Sequence, residues 1–259
     1  MTLYLAARTY GQPGSIDPSF NGIGGPDQAV LCLALQPDAK IIVGGNFTTI
    51  NGTRRNSIAR FHADGTLDES FDPGEGANSA VHSVAVQDDG KIVIGGSFTQ
   101  LRGQTRNRIG RLNANGTLDS EFDPPGGMNS DVYAINVLPD GTLLVGGAFT
   151  QANGVARGYF ARLKASGTLD NAFAAEANAA VRTVALRSDD KILLGGDFTN
   201  VGGQLRNYVA RLNANGSVDL SFDPAAGPNG AVYDLALQPD GKVVIGGAFS
   251  AVNEIGYTY

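Results

Sequence analysis

Tryptophan is absent, cysteine occurs once, and lysine and arginine together number 19 in 259 residues. Each shortage closes a class of explanation. The single thiol, Cys32, rules out an intrachain disulfide, and its apolar run Ala29-Val-Leu-Cys-Leu-Ala-Leu35 reads as packing, where cysteine acts as a small hydrophobe. With so few cations and a formal net charge of −6, there is no basic stripe to neutralise phosphates or hold an anionic membrane, so neither nucleic acid nor membrane is expected as a partner. No apolar run reaches the roughly 20 residues of a membrane helix, and Met1-Thr-Leu-Tyr-Leu-Ala-Ala-Arg8 lacks the apolar stretch of a signal peptide. A soluble protein is expected, cytoplasmic or trimmed after export. Ser-His-Asp signatures, clusters of metal ligands and nucleotide fingerprints are also lacking, so no cofactor or metal is expected.

What is plentiful is glycine, 36 residues in all, about twice ordinary usage and suited to many short strands joined by tight turns. Gly-Gly-x-Phe recurs at Phe47, Phe98, Phe149, Phe198 and Phe249, and Asp-x-x-Phe recurs in step at Asp17/Phe20, Asp68/Phe71, Asp119/Phe122, Asp170/Phe173 and Asp219/Phe222. A period near 50 residues made of short β-segments marks a propeller blade. The sequence therefore predicts an all-β, five-bladed β-propeller with four antiparallel strands per blade.

In the second copy, Val81–Val86 turns through Asp88-Asp-Gly90 into Lys91–Gly96. A longer loop, residues 99–107, leads to a third strand around 108–112, and Asn115-Gly116 turns into an outer strand over 117–122. Tight turns thus lie on one face and longer loops on the other, where a propeller would build a site. The fifth copy stops after its second strand and part of the following loop. Its remaining strands are sought at the start of the chain, where Gly14-Ser-Ile-Asp-Pro-Ser-Phe20 matches Gly65-Thr-Leu-Asp-Glu-Ser-Phe71. Residues 1–20 are expected to complete the last blade with 232–259, closing 1–259 as a single domain. Closure would remove the open sheet edge and favour a monomer.

The segments Ala-Leu-Gln-Pro-Asp-Gly-Lys-Val-Val-Ile-Gly-Gly-Ala-Phe (236–249) and Arg206-Asn-Tyr-Val-Ala-Arg-Leu-Asn-Ala-Asn-Gly-Ser-Val-Asp-Leu-Ser-Phe-Asp-Pro224 resemble the bacterial delta-60 repeat. Their glycine pair is also similar to the plan of kelch blades. The resemblance implies a propeller scaffold, often within larger exported proteins. Some cyanobacterial aromatic-alkylating cyclases carry similar repeats beside a calcium-binding domain, which these 259 residues do not include.

The repeat supplies its own contrast between scaffold and site. Residues found in every blade are expected to build it: the Phe pairs as core, and Arg60, Arg111, Arg162 and Arg211 as bidentate partners of Asp68, Asp119, Asp170 and Asp219. Asn113–Asp119 has too few carboxylates for a calcium loop, and Asn51-Gly-Thr53, a match to the glycosylation sequon, reads as incidental. The second residue of each innermost strand breaks the pattern: Leu31, His82, Tyr133, Arg182 and Tyr233, with Asp131 and Asp234 nearby. An Asp beside His82 would raise its basicity, Arg182 suits a carboxylate or phenol, and the tyrosines suit stacking. Two functions follow. One is a binding scaffold whose channel mouth takes a small molecule, glycan or protein through Tyr133, Arg182, Tyr233 and Asp234. The other is an enzyme using His82 and Asp131 for acid–base alkylation, cyclisation or isomerisation, with Arg182 and Tyr133 placing the substrate. These residues filling the channel mouth with mutual hydrogen bonds is the plainer alternative.

Overall fold

The computed structural model describes residues 25–256. Among them there is no helix, and the strands fall into five successive blades. The first strand of each blade is Val30–Leu35, Val81–Val86, Val132–Val137, Val181–Leu186 and Val232–Leu237. The second strands are Ile41–Gly45, Ile92–Gly96, Leu143–Gly147, Ile192–Gly196 and Val243–Gly247. A third strand adds antiparallel to the second in blades 1 to 4: Ile58–Phe61, Ile109–Leu112, Phe160–Leu163 and Val209–Leu212. First strands of consecutive blades lie side by side, so they form the innermost layer.

Two parts of the blade differ from the sequence reading. Among the described residues the expected outer strand is shortened to a single bridge in each of blades 1 to 4, such as Leu112 to Leu118. It stops because the next Asp folds the chain: Asp68 Oδ1 accepts the Ser70 N–H at 2.9 Å and the Asp68 carbonyl accepts the Phe71 N–H, a turn that drops Phe71 into the core. The long loop, in contrast, is ordered into its own hairpin, for example Gln100–Leu101 with Gln104–Thr105. Its two turn residues both take positive φ (Asn51 and Gly52, Asn153 and Gly154, Gly202 and Gly203), the geometry of a type I′ turn.

Blades pack face to face through apolar side chains. Phe47, Phe71, Phe98, Phe122, Phe149, Phe173 and Phe198 are fully buried, each stabilising the fold by roughly 2–3 kcal/mol. At every described junction the leading Val of one blade sits against the first glycine of the preceding Gly-Gly pair. A Cβ on Gly44 would lie 2.5 Å from Val81 Cγ1, on Gly95 2.4 Å from Val132 Cγ1, and on Gly195 2.7 Å from Val232 Cγ1. The expected Arg–Asp pairs form within blades 1 to 4, Arg111 Nε to Asp119 Oδ2 at 2.7 Å and Arg60 Nε to Asp68 Oδ2 at 2.8 Å. They use one carboxylate oxygen and are not the bidentate pairs expected, because the other oxygen takes a turn N–H, as Asp68 Oδ1 takes that of Ser70. They also link neighbours: Arg60, Arg111 and Arg162 donate through Nη1 to the turn carbonyls of Ala114, Ala165 and Ala214 in the following blade.

Between the last blade and the first, these contacts stop. Val30 is 42% exposed where Val81, Val132, Val181 and Val232 are fully buried, Leu33 is 67% exposed, and nothing lies within 4 Å of a Cβ on Gly246. The strands expected to complete blade 5, within residues 1–20, lie outside the described residues.

Candidate functional site at the channel mouth

The site begins with a bulge. Val81 pairs with Gly96 and Ser83 with Gly95, so His82 is skipped in the ladder, and the same shift skips Leu31, Tyr133, Arg182 and Tyr233. Bulges re-aim a side chain at the rim of a sheet. Here the re-aimed residue is the one that varies among blades.

The Gly-Gly pair makes this bulge possible. The carbonyl of the residue before each leading Val accepts the N–H of the residue after the glycines, as in Ser97 N to Ala80 O at 2.9 Å and Asp197 N to Ala180 O at 2.8 Å. That bond draws the carbonyl across the second glycine, where a Cβ would lie only 2.0 to 2.2 Å away in all five blades. The first glycine makes room for the next blade and the second for the bulge.

The bulge also brings its residue onto the x of Gly-Gly-x-Phe, fifteen positions later. His82 Nε2 lies 2.8 Å from Ser97 Oγ. Arg182 donates Nε to Asp197 Oδ1 and Nη2 to Asp197 Oδ2, both at 2.7 Å. Ser97 and Asp197 escaped the sequence reading because they sit inside a motif read as scaffold. Their signal was that x changes (Asn46, Ser97, Ala148, Asp197, Ala248) while its neighbours do not.

Across blades the bulge residues stack in order. The His82 ring meets Tyr133 edge-on at 5.7 Å, and the Arg182 guanidinium lies 5.4 Å from the Tyr133 ring centre and 5.1 Å from that of Tyr233. Cation–π contacts of this kind contribute about 0.5–2 kcal/mol. His82, Tyr133 and Arg182 are half-buried and Tyr233 is exposed. Leu31, at the uncovered edge, is exposed as well.

Electrostatics divide the row. Burial lowers the His82 pKa below 6.5, against a smaller upward pull from Asp131, so the imidazole is neutral at pH 7. Arg182 is held more firmly charged, first by its hydrogen bonds to Asp197. Asp131 accepts a hydrogen bond from Arg108 Nη1 at 3.1 Å, and His82 shares its hydrogen bond with Ser97 instead, so the two blades' residues are not hydrogen-bonded to each other. Asp234 sits one step further along its strand and accepts from Thr183 Oγ1 of blade 4 at 3.3 Å. Among the described residues, no group of three or more His, Cys, Asp or Glu is placed to hold a metal ion.

A cleft of about 740 Å³ opens at the opposite end of the inner strands, lined by Val86, Val137, Leu186 and the turn residues Asp88, Asp89 and Asp140. Of its acidic groups, Asp89 and Asp140 hold the hairpin-turn position that recurs as Asp38, Asp189 and Asp240, which marks those two as scaffold, while Asp88 and Glu121 line it without such counterparts. The bulge row carries the blade-specific chemistry.

A family model described as "Domain of unknown function (DUF5122) beta-propeller" matches residues 36–71, 87–122, 138–173, 187–222 and 238–256. No curated protein matches the chain. In fold the chain is similar to the extracellular domain of BT4673 from B. thetaiotaomicron, with 16% identity over 92% of this chain and 27% of that one and a TM-score of 0.50. It is also similar to the WD40 beta propeller domain of Doa1 (18% identity, 65% of this chain and 48% of that one, TM-score 0.44) and to XC5397, a gluconolactonase from Xanthomonas campestris (16% identity, 83% and 68%, TM-score 0.49). The chain spans less than half the length of the first two. At such identities the likeness is one of fold, and it rests on the first.

Proposed function

We propose that this chain, which belongs to the DUF5122 β-propeller family, is a rigid scaffold that binds a small molecule, glycan or protein at the long-loop mouth of its channel. The observation that carries this is the bulge row: a device repeated in every blade aims Leu31, His82, Tyr133, Arg182 and Tyr233 in turn. A scaffold element repeated for stability alone would carry the same residue throughout, as the Phe and Arg–Asp positions do. Tyr133 and Tyr233 supply stacking faces, Arg182 a charged edge, and His82 a neutral imidazole whose Nδ1 makes no hydrogen bond among the described residues. That open nitrogen is what favours the second reading, acid–base catalysis by His82 with Arg182 placing the substrate. Asp131, engaged by Arg108, would then tune the site through charge rather than contact.

In this reading the repeat is the delta-60 repeat, and the ring is closed as a monomer by residues 1–20. The two uncovered faces support closure because they are the halves of one blade junction, Val30 on one side and Gly246 on the other. Arg211 supports it too. Its counterparts reach the turn carbonyl of the next blade, whereas Arg211 bonds only Asp219 and Ser221 among the described residues. The turn before Gly14 would supply that carbonyl.

The test is a thermal-shift screen of metabolites, phenols and glycans on the intact chain and on a His82→Ala/Arg182→Ala double variant. A ligand that stabilises only the intact chain locates the site, and its turnover decides for catalysis. Identical responses from both proteins would sink the channel-mouth reading.

A further inference from the structure

The bulge residue and the x residue of the same blade behave as one unit. His goes with Ser, at hydrogen-bond distance, and Arg goes with Asp, in a bidentate pair. In both blades where the bulge residue is Tyr, x is Ala: Tyr133 with Ala148 and Tyr233 with Ala248. The first blade holds Leu31 with Asn46. Backbone geometry is common to all five, because the same register shift and the same carbonyl-over-glycine contact recur. A change of side chains can therefore be accepted without rebuilding the blade, provided both members change together.

Blade 4 shows what the present set selects. Asp197 takes the side edge of Arg182, Nε and Nη2, while the rings of Tyr133 and Tyr233 flank the guanidinium. Nη1 donates no hydrogen bond to any described residue, and the side chain is 35% exposed. The end-on edge of the guanidinium, the second of its two bidentate faces, is thus open to solvent between two aromatic rings. A carboxylate fits that edge, and a flat group attached to it would lie along the rings. Asp131 accepts from Arg108 and Asp234 from Thr183, and neither carboxylate is hydrogen-bonded to Arg182.

We propose that ligand choice at the channel mouth is set by these five two-residue units, and that the set carried here selects a planar molecule bearing a carboxylate. This rests on the mouth being the binding site. The probes are benzoate, benzamide and cyclohexanecarboxylate, followed by NMR through the imidazole signals of His82 in the intact chain and in Arg182→Tyr/Asp197→Ala, which transplants the blade 3 unit into blade 4. Benzoate is expected to shift those signals and to bind at least tenfold more tightly than either comparison compound, and the double variant to lose that preference while remaining folded. The double variant is also expected to melt above Arg182→Tyr alone, since the single change strands Asp197 without its cation.

Benzamide binding as tightly as benzoate would overturn the carboxylate class and leave the site standing. Silence of the His82 signals towards every probe, together with no selective hit in the broad screen, would remove the site itself. A double variant melting no higher than Arg182→Tyr would overturn the paired unit.

Discussion

Ring closure can be decided by one methyl group. At Gly195 an added Cβ would meet Val232 Cγ1 and Thr183 Cγ2, each at 2.7 Å, roughly 1 Å inside the carbon–carbon optimum. Overpacking of that size costs about 1–3 kcal/mol, partly offset by the ~0.4–1 kcal/mol that Gly→Ala gains by restricting the unfolded chain. Gly195→Ala should therefore destabilise by about 1–2 kcal/mol. Gly246 is the same position in blade 5, and nothing lies within 4 Å of its Cβ among the described residues. If Val30 seats there and closes the ring, Gly246→Ala meets the Val contact without the same-blade Thr183 contact and should cost about 1 kcal/mol, at the lower end of the Gly195→Ala range. On an open arc it should be neutral, or stabilising by up to ~1 kcal/mol. Gly247→Ala is the internal control, because its Cβ would lie 2.0 Å from the Ala231 carbonyl within the same blade whether or not the ring closes. Urea titrations of the three variants read the difference, which corresponds to about 2–4 °C in Tm per kcal/mol for a chain of this size. A neutral Gly246→Ala beside damaged Gly195→Ala and Gly247→Ala would refute closure.

Two further outcomes follow from the scaffold. Asp119→Ala should destabilise by about 3 kcal/mol in chemical denaturation, since it leaves Arg111, buried over the Phe122 ring, and Lys91 without their carboxylate. Burial alone would raise the Asp119 pKa, but bonds from Lys91, the Glu121 N–H and Arg111 outweigh it and hold the carboxyl below the ordinary 3.8. Its contribution is thus complete above that value and lost as pH falls through the lower folded one, so Asp119→Ala should also flatten the acid limb of the stability profile; an unchanged limb would contradict the assignment. Ala39 occupies, at φ 65°, the turn position that Gly90, Gly141 and Gly241 fill in other blades. Ala39→Gly relieves a left-handed Ala, and after the entropy cost of glycine it should raise stability by about 0.5 kcal/mol, read as a higher urea midpoint.

The parts of this molecule that were legible in the sequence are those that repeat. Phe98 and Phe122 announced the core, and the Arg111–Asp119 pair announced itself, because each had counterparts at the blade period. What escaped had its signal diluted. The long-loop hairpin depends on two residues of positive φ, and Asn51-Gly52 and Asn153-Gly154 spell that out. In the other blades the same turn is made by Arg102-Gly103, Gly202-Gly203 and Asn253-Glu254, a mixture that hides the motif. The fourth strand of the blade is shortened to the Leu112–Leu118 bridge although Thr117-Leu118 alternates like a strand, because the Asp that follows bends the chain to deliver Phe122.

The bulge was missed for a different reason, and it bears most on function. Gly-Gly-x-Phe looks like a strand end with spare flexibility, but its second glycine is a steric requirement imposed by a carbonyl sixteen residues earlier, across one hairpin, which no local pattern displays. Once that carbonyl is placed, the rest follows from geometry. The ladder must skip a residue, the skipped side chain leaves the alternation, and it meets x. The blade itself requires the glycines, whereas the skipped residue and x need only suit each other and their neighbours in the row. That is why His82, Tyr133, Arg182 and Tyr233 can differ while the strands that carry them do not, and why Ser97 and Asp197 belong to the site and not to the motif that encloses them.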